Sequence, residues 1–159
     1  MVWLYVHAIL GIAVIVWLIA SNPQVYAKPA GGSWLSPLEG VYYAAGFASI
    51  ALGWYFNIHF VLDSHGQGNL FHGPASYPNF LRQQFANPAA GSGDQDYLIA
   101  NVILLPVFTI VDGRRRGIRR PWLFFAASFF TSFSFPLAWY FATMERTRRH
   151  EQARETVHA

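Results

Sequence analysis

The chain has 159 residues, of which 53% are hydrophobic and only 12% are charged. Soluble domains carry about a quarter charged residues, so the composition excludes an ordinary soluble surface, as well as a disordered, collagen-like or coiled-coil chain. The absence of cysteine excludes disulfides, thiolate metal sites and a cysteine nucleophile. The net charge of +3 comes mainly from two arginine clusters beside apolar segments, so it does not indicate a nucleic-acid partner.

Four apolar stretches approach the roughly 20 residues that a helix needs to cross a bilayer. They cover about residues 2–20, 38–62, 97–111 and 122–144. Because lipid offers no partner to an open backbone, each is predicted to be a helix. The expected fold is an all-α membrane protein with four transmembrane helices, a multi-pass protein of the inner (plasma) membrane. The first stretch has no preceding Lys or Arg, so it is predicted to be a retained helix, not a cleaved signal peptide.

Cap and terminus residues predict the helix boundaries. Residues 36–39 (Ser-Pro-Leu-Glu) have the spacing of a capping box with proline at the first helical position, so the second helix is predicted to begin there. Asp94 and Asp96 are expected at the positive dipole end of the third helix. Gly113 is expected to end that helix in a left-handed conformation.

The long second loop, residues 63–95, is predicted to contain a short helix of its own. Phe80, Leu81, Gln84 and Phe85 have amphipathic spacing, which is typical of a helix lying in the membrane interface. The dipeptide at residues 87–88 (Asn-Pro) is expected to end it.

Small residues and prolines inside the spans predict how the helices pack and bend. Ala45, Ser49 and Gly53 recur every four residues, a pattern that lets helix backbones approach closely. Pro106 and Pro136 are expected to kink the third and fourth helices.

Four crossings would put the amino terminus, the second loop and the carboxyl tail on one side, called side A, and the other two loops on side B. The positive-inside rule counts Lys and Arg residues on each side, and these numbers are then nearly equal. Side B is preferred as the cytoplasmic side because its arginine loop is short. Side B would hold Lys28, Arg114, Arg115, Arg116, Arg119 and Arg120, and side A would hold Arg82, Arg146, Arg148, Arg149 and Arg154.

The arginine loop between the third and fourth helices has two interpretations. It sets the topology, or it also binds the anionic headgroups of membrane lipids, which attract each juxtamembrane cation by about 1 kcal/mol. The residues concerned are Arg114, Arg115, Arg116, Arg119 and Arg120.

Several separated motifs recur together in a known family. They are residues 54–57 (Trp-Tyr-Phe-Asn), 84–90 (Gln-Phe-Ala-Asn-Pro-Ala-Ala), Asp96, 112–115 (Asp-Gly-Arg-Arg), Trp122 and 136–137 (Pro-Leu) before a charged tail. The sequence resembles an uncharacterised family of small bacterial membrane proteins, frequent in actinobacteria and catalogued as a domain of unknown function.

The resemblance covers about residues 41–149. It implies a three-helix core over about residues 38–149, to which a first helix over about residues 1–21 is added, within a single transmembrane domain over residues 1–159. The family usually has Glu where Asp112 stands, and its last helix usually ends in a short Arg-Glu, not in this longer tail. The resemblance implies no activity.

Polar residues inside predicted spans are costly and are therefore candidates for function. Four such residues are expected near side A, and two aspartates flank the spans at the same level; together the six indicate either packing and contact with interfacial water or a ligand site. His59 and Asp63 lie four apart, a spacing that orients a histidine or offers two metal ligands, and a neutral histidine also suits a haem or chlorin. No metal-binding motif accompanies them. The six are His7, Asn57, His59, Asp63, Asp96 and Asn101.

The sequence therefore predicts a polytopic membrane protein without a recognisable catalytic motif. Its expected role is a structural, accessory or ligand-binding component of a membrane complex that contacts lipids and other membrane subunits. The alternative is a small membrane-embedded enzyme acting on a lipid or isoprenoid-like substrate, with Asp63, His59 or Asp96 as acid and base.

Overall fold

A computed structural model describes residues 2–30 and 32–158, and these residues form helices without strands. α5, a π-helical segment and α6 follow one another without a break. The elements are α1 (Val2–Ser21), α2 (Pro23–Tyr26), α3 (Pro37–Asp63), α4 (Tyr77–Gln84), α5 (Pro88–Ile99), the π segment (Ala100–Leu104), α6 (Leu105–Arg115), α7 (Trp122–Ser128) and α8 (Ser134–His158).

Among the described residues, three helices are long and apolar enough to cross a membrane. They are the Leu4–Ser21 part of α1, the whole of α3, and the helix that runs through α5, the π segment and α6. The all-helical prediction is confirmed at this level, and the short helix predicted in the second loop is present as α4.

The capping box predicted at the start of α3 is confirmed. The Ser36 Oγ accepts a hydrogen bond from the Glu39 N–H at 3.1 Å, and the Glu39 carboxylate accepts one from the Ser36 N–H at 2.7 Å. Pro37 occupies the first turn, where its missing N–H has no partner to lose.

The third apolar helix begins earlier than the sequence predicts. It covers Pro88–Arg115, 28 residues, and the Asn87 side chain caps it by accepting a hydrogen bond from the Ala90 N–H at 2.9 Å. Asp94 and Asp96 therefore lie within the helix, and the prediction that they sit at its dipole end is wrong. Asn87 likewise begins this helix instead of ending the preceding one.

A π turn lies just before the proline that was expected to kink this helix. Pro106 has no N–H to donate to the carbonyl of residue 102. The Leu105 N–H instead donates to the Ala100 carbonyl, five residues back. The wider π turn thus lies where the proline interrupts the regular hydrogen-bond pattern of the helix. Such turns are frequent at functional sites.

Gly113 does not end the helix, contrary to the prediction. Gly117 takes the left-handed conformation, with φ 69°, and two hydrogen bonds characteristic of a Schellman motif close the end. The Ile118 N–H donates to the Gly113 carbonyl at 2.9 Å, and the Gly117 N–H donates to the Arg114 carbonyl at 3.1 Å. Gly113 instead allows close packing, since a Cβ there would lie 2.6 Å from the Pro121 Cβ.

The predicted fourth helix is broken into two antiparallel halves. Residues 129–133 leave the helical conformation between α7 and α8. The Phe124 ring on α7 lies 4.9 Å from the Tyr140 ring on α8, centroid to centroid, so the two helices lie side by side. The prediction of one helix over residues 122–144 is wrong, and Pro136 lies in the first turn of α8, where it kinks nothing.

This helical hairpin starts on side B and points towards the middle of the bundle. At its start the Trp122 ring lies 5.4 Å from the Trp17 ring near the end of α1. At its turn, Phe130 packs against Gly11, halfway along α1. The turn therefore lies deep between the three long helices.

α8 returns to side B. The Arg146 Nε donates to the Glu39 carboxylate at 2.6 Å, and Arg149 pairs with the other oxygen of the same carboxylate. Since Glu39 lies in the first turn of α3, the prediction that the tail shares side A is wrong. When the tail is assigned to side B, ten of the eleven Lys and Arg residues lie on side B, and Arg82 alone lies on side A.

Candidate ligand-binding cavity

A cavity of about 670 Å³ lies in the side A half of the structure. Its walls come from α3, α4, α5 and the π segment, and the turn of the hairpin forms its floor. α6 packs against α7 and α5 packs against α4, so the third long helix borders the cavity through its α5 and π portions. The volume lies in the range of about 300–1,000 Å³ that is typical of small-molecule sites.

Asn101 is one of two buried polar residues described in the cavity, with 8% of its surface exposed, as for Ser128 on the floor. It lies in the π segment. Its Nδ2 makes a long contact of 3.4 Å with the Tyr97 hydroxyl, and its Oδ1 is buried without a hydrogen-bond partner in the described structure. An unpaired buried carbonyl costs about 1–3 kcal/mol, and so calls for an explanation.

Further polar groups line the cavity from α4 and α5. The Oε1 of Gln84 is also buried without a partner among the described residues. Asp94 lies on the same cavity from α5. Burial raises the pKa of the Tyr77 hydroxyl above its ordinary value, so this side chain stays neutral.

The floor of the cavity is rich in hydroxyl groups. The Ser49 Oγ on α3 donates to the Ser132 Oγ at 2.8 Å, and the Ser132 Oγ in turn accepts from the Phe135 N–H at 3.3 Å. Ser128 and Thr131 each donate to a carbonyl at the end of α7, both at 2.7 Å. These hydroxyls form hydrogen bonds with backbone groups at the break between α7 and α8. Irregular backbone inside a helical bundle needs such protein or water partners.

The stripe of small residues on α3 faces this floor. Ala45, Ser49 and Gly53 all line the cavity, and a Cβ at Gly53 would lie 3.6 Å from Ser132. This contact from Gly53 is made to the hairpin, and the packing role of the whole stripe stays a prediction. Asn57, one turn further along α3, lines the same cavity.

Two of the six residues that the sequence singled out, Asn57 and Asn101, line this cavity, and Asn57 also lines a small pocket of about 40 Å³ together with a third, His7. His7 lies behind the hairpin turn, with its ring 5.6 Å from the Phe130 ring. His59 is exposed, and its Nδ1 lies 2.8 Å from the Tyr55 carbonyl.

Asp63 and Asp96 are also exposed and do not line the cavity. The Asp96 carboxylate accepts a hydrogen bond from its neighbour Gln95 at 2.6 Å. The acid and base candidates of the enzyme hypothesis therefore lie outside the cavity, and the geometry gives that hypothesis no support.

Histidine is missing from the described residues that line the cavity, so these residues offer no histidine ligand to the metal of a haem or chlorin. No group of three His, Asp or Glu side chains suited to a metal ion occurs in residues 2–30 and 32–158.

The five arginines of the 114–120 segment differ in their environments. Arg116 pairs with Asp112 at 2.6 Å, and Arg120 lies over the Trp17 ring, 5.1 Å from its centroid. The other three, Arg114, Arg115 and Arg119, are exposed, and their side chains form no ion pair within the described part of the chain.

Sequence reasoning missed a buried polar cluster on side B. The Glu39 side chain is fully buried, and its partner Arg146 also donates to the carbonyls of Tyr26 and Trp34, at 3.1 and 2.5 Å. The cluster fixes α8 to the start of α3. From the sequence, Glu39 was assigned only to the capping box, and that assignment gave no sign of a buried ion pair.

Asn22 is a second group that sequence reasoning missed. Its buried amide donates to the carbonyls of Leu18 and Arg119, each at 2.9 Å, and accepts from the Arg119 N–H at 2.7 Å. It fastens the loop before α7 to the end of α1, so the hairpin is held in place from side B.

Comparison with protein families returns one that is described as a protein of unknown function, DUF2834, whose model matches residues 41–146. The chain belongs to this DUF2834 family. The resemblance drawn from the sequence motifs is confirmed in that respect. Comparison with curated proteins and with solved structures finds no match.

The DUF2834 region contains every residue that lines the cavity, from Ala45 to Ser134. α1 lies outside the matched region and packs on the hairpin through Gly11. In this DUF2834 member the cavity is therefore built by the family region itself, and α1 supports the hairpin from behind.

Proposed function

We propose that this DUF2834 protein is a membrane-embedded binding protein whose cavity takes up an amphipathic molecule. The observation that carries the proposal is the Asn101 side chain, which lines the cavity and whose buried Oδ1 has no partner among the described residues. A bound molecule with a hydrogen-bond donor would satisfy this oxygen once the amide turns towards the cavity, and its apolar body would lie along the rings and small residues of the walls.

The energetics of Asn101 favour a ligand over simple packing. A leucine of similar size would fill the same space without a desolvation cost. The only hydrogen bond of the Asn101 side chain among the described residues is the long one to Tyr97, and its oxygen is unpaired. Ligand sites are where proteins tolerate such local cost.

For the topology, we propose that three helices cross the inner (plasma) membrane and that the hairpin of α7 and α8 enters from side B without crossing. Side B is cytoplasmic in this proposal, because ten of the eleven Lys and Arg residues lie there and cytoplasmic segments are enriched in these residues. The cavity then occupies the outer half of the bundle and is reached from the outer leaflet.

Arg114, Arg115 and Arg119 support a second contact with lipid. They are exposed and without an acidic partner among the described residues, and Arg120 of the same segment lies over the Trp17 ring, which packs against the Trp122 ring. Tryptophan favours the headgroup level, so we propose that these arginines bind anionic headgroups.

A role as accessory subunit of a larger membrane complex remains a proposal as well. Large apolar side chains are exposed along α1, α3 and the third long helix, where lipid or partner subunits would cover them. Purification in mild detergent, with identification of chains that elute in constant ratio, tests this role.

The Asn101→Leu variant tests the binding proposal. We expect it to unfold at a higher temperature than the wild type in phosphatidylcholine nanodiscs, by the equivalent of about 1–3 kcal/mol, because the unpaired carbonyl is gone. Added 1-dodecanol should raise the unfolding temperature of the wild type and should do so far less for Asn101→Leu. Gln95→Leu, which changes an exposed side chain outside the cavity, is the control.

The two readouts separate a binding residue from a packing residue. A packing role for Asn101 predicts that Asn101→Leu lowers the unfolding temperature without any ligand present. If that happens, and dodecanol protects the variant and the wild type equally, the cavity is not the binding site that we propose.

A further inference from the structure

We infer that the ligand of this cavity is a lipophilic cation, an amine with an apolar body, held by the Asp94 carboxylate, the hydroxyl groups of the floor and the surrounding rings. The inference rests on the proposed binding function and adds the charge and chemical class of the ligand.

The charge on the described lining of the cavity is of one sign, negative. Asp94 is the only acidic residue among the described lining residues, and Lys, Arg and His are absent from them. None of the ion pairs among the described residues includes Asp94. Arg82, the one arginine of side A, lines a separate cleft with residues 71–79. A cation would therefore meet a carboxylate without having to displace a partner.

The floor of the cavity presents acceptors to a ligand. Ser128 and Thr131 have already donated their protons to backbone carbonyls, so only their lone pairs remain. An ammonium group supplies up to three donors and needs no acceptor, so it can bind to these lone pairs and to the Asp94 carboxylate together.

Aromatic rings cover much of the remaining wall. The negative face of a ring attracts a cation, most strongly where water is excluded. Apolar walls of this kind also suit the hydrocarbon part of an amphiphile. An anionic ligand has no positive group to meet here. The six rings are Phe56, Tyr77, Phe80, Tyr97, Phe129 and Phe133.

Three probes that share a twelve-carbon chain test the inference: dodecylamine, 1-dodecanol and dodecanoate, each titrated at pH 7 into the full-length protein in phosphatidylcholine nanodiscs. The wild type should bind dodecylamine about tenfold or more tightly than dodecanol, since a charged hydrogen bond adds at least one power of ten. Dodecanoate should bind most weakly. Asp94→Asn should bring dodecylamine down to the affinity of dodecanol while leaving dodecanol unchanged.

Asp96→Asn is the matched control, because this carboxylate lies two residues further along the same helix and outside the cavity. It should keep the full preference for dodecylamine, which separates binding at Asp94 from general attraction to an acidic surface. If Asp96→Asn and Asp94→Asn reduce the preference equally, the amine binds to the surface and the inference is wrong.

The outcomes for this inference and for the binding function are distinguishable. Equal affinities for dodecylamine and dodecanol, both weakened by Asn101→Leu, would overturn the cation inference and leave the binding function intact. Probes that bind without any dependence on Asn101 would overturn the binding function and the inference with it.

Discussion

The Ser49 hydroxyl donates a hydrogen bond to the Ser132 hydroxyl at 2.8 Å, across 83 positions of sequence. This bond joins the middle of α3 to the turn of the hairpin. By the rise of an α-helix, Ser49 lies about 18 Å from the start of α3, nearly half of its length of about 40 Å. The hairpin turn is therefore held near the middle of the bundle, where it closes the cavity from below.

Replacing Ser132 with alanine should destabilise the hairpin. The change leaves the Ser49 hydroxyl and the Phe135 N–H without their partner, and we expect a loss of about 1–3 kcal/mol in the free energy of unfolding. Denaturant titration in detergent micelles measures it. Thr156→Ala, an exposed change in α8, should be neutral; equal stability of both variants would show that the turn does not depend on this bond.

Replacing Glu39 with glutamine should be among the most damaging single changes. It leaves two arginines facing a neutral side chain at a buried position, and removal of one partner of a buried ion pair costs about 3–5 kcal/mol. The same titration measures the loss. Glu145→Gln, whose partner Arg148 is mostly exposed, should change stability little, and a comparable loss in both variants would contradict the anchoring role of Glu39.

Two glycine-to-alanine changes should shift the free energy of unfolding in opposite directions. Gly113→Ala puts a Cβ 2.6 Å from the Pro121 Cβ, and overpacking of this kind costs about 1–3 kcal/mol. Gly40→Ala meets no atom within 4 Å, so the helix should gain up to about 1 kcal/mol. Thermal unfolding of the two variants beside the wild type measures both effects. If Gly113→Ala unfolded at the same temperature as the wild type, the close contact of α6 with Pro121 would be refuted.

Asn22→Ala should loosen the hairpin from side B. It removes the partner of the Arg119 N–H and of two carbonyls, and a buried unsatisfied group costs about 1–3 kcal/mol. Amide hydrogen exchange should rise in residues 118–128 more than in α3. Uniform exchange over all helices would mean that Asn22 stabilises the whole bundle and does not act as a local fastener.

The sequence predicted the elements that depend on local chemistry. The capping box at Ser36 and Glu39 needs only a three-residue spacing, and apolar length alone identifies α1 and α3. The family resemblance likewise needed only motifs in order. These features are encoded within one helix turn or one span, so no tertiary contact is required to recognise them.

The fold of residues 122–144 could not be predicted in this way. Its apolar composition suits a crossing helix and a buried hairpin equally well, because both are surrounded by apolar groups. The distinction lies in contacts distant in sequence, such as Arg146 with Glu39 and Ser132 with Ser49. The same applies to the cavity, where hydropathy identified Asn57 and Asn101 but did not find Gln84 or Asp94, which lie outside the predicted spans.

The proposed cavity and topology both depend on the hairpin, because its turn forms the cavity floor and its return places the tail on side B. The chain has no cysteine, so single cysteines at Gln67, Arg115 and Arg154 can be labelled with a membrane-impermeant maleimide in vesicles of known orientation. We expect Arg115→Cys and Arg154→Cys to react in the same vesicles and Gln67→Cys in vesicles of the opposite orientation. Labelling of Arg154→Cys together with Gln67→Cys would show that residues 122–144 cross the membrane, and would contradict the proposed topology.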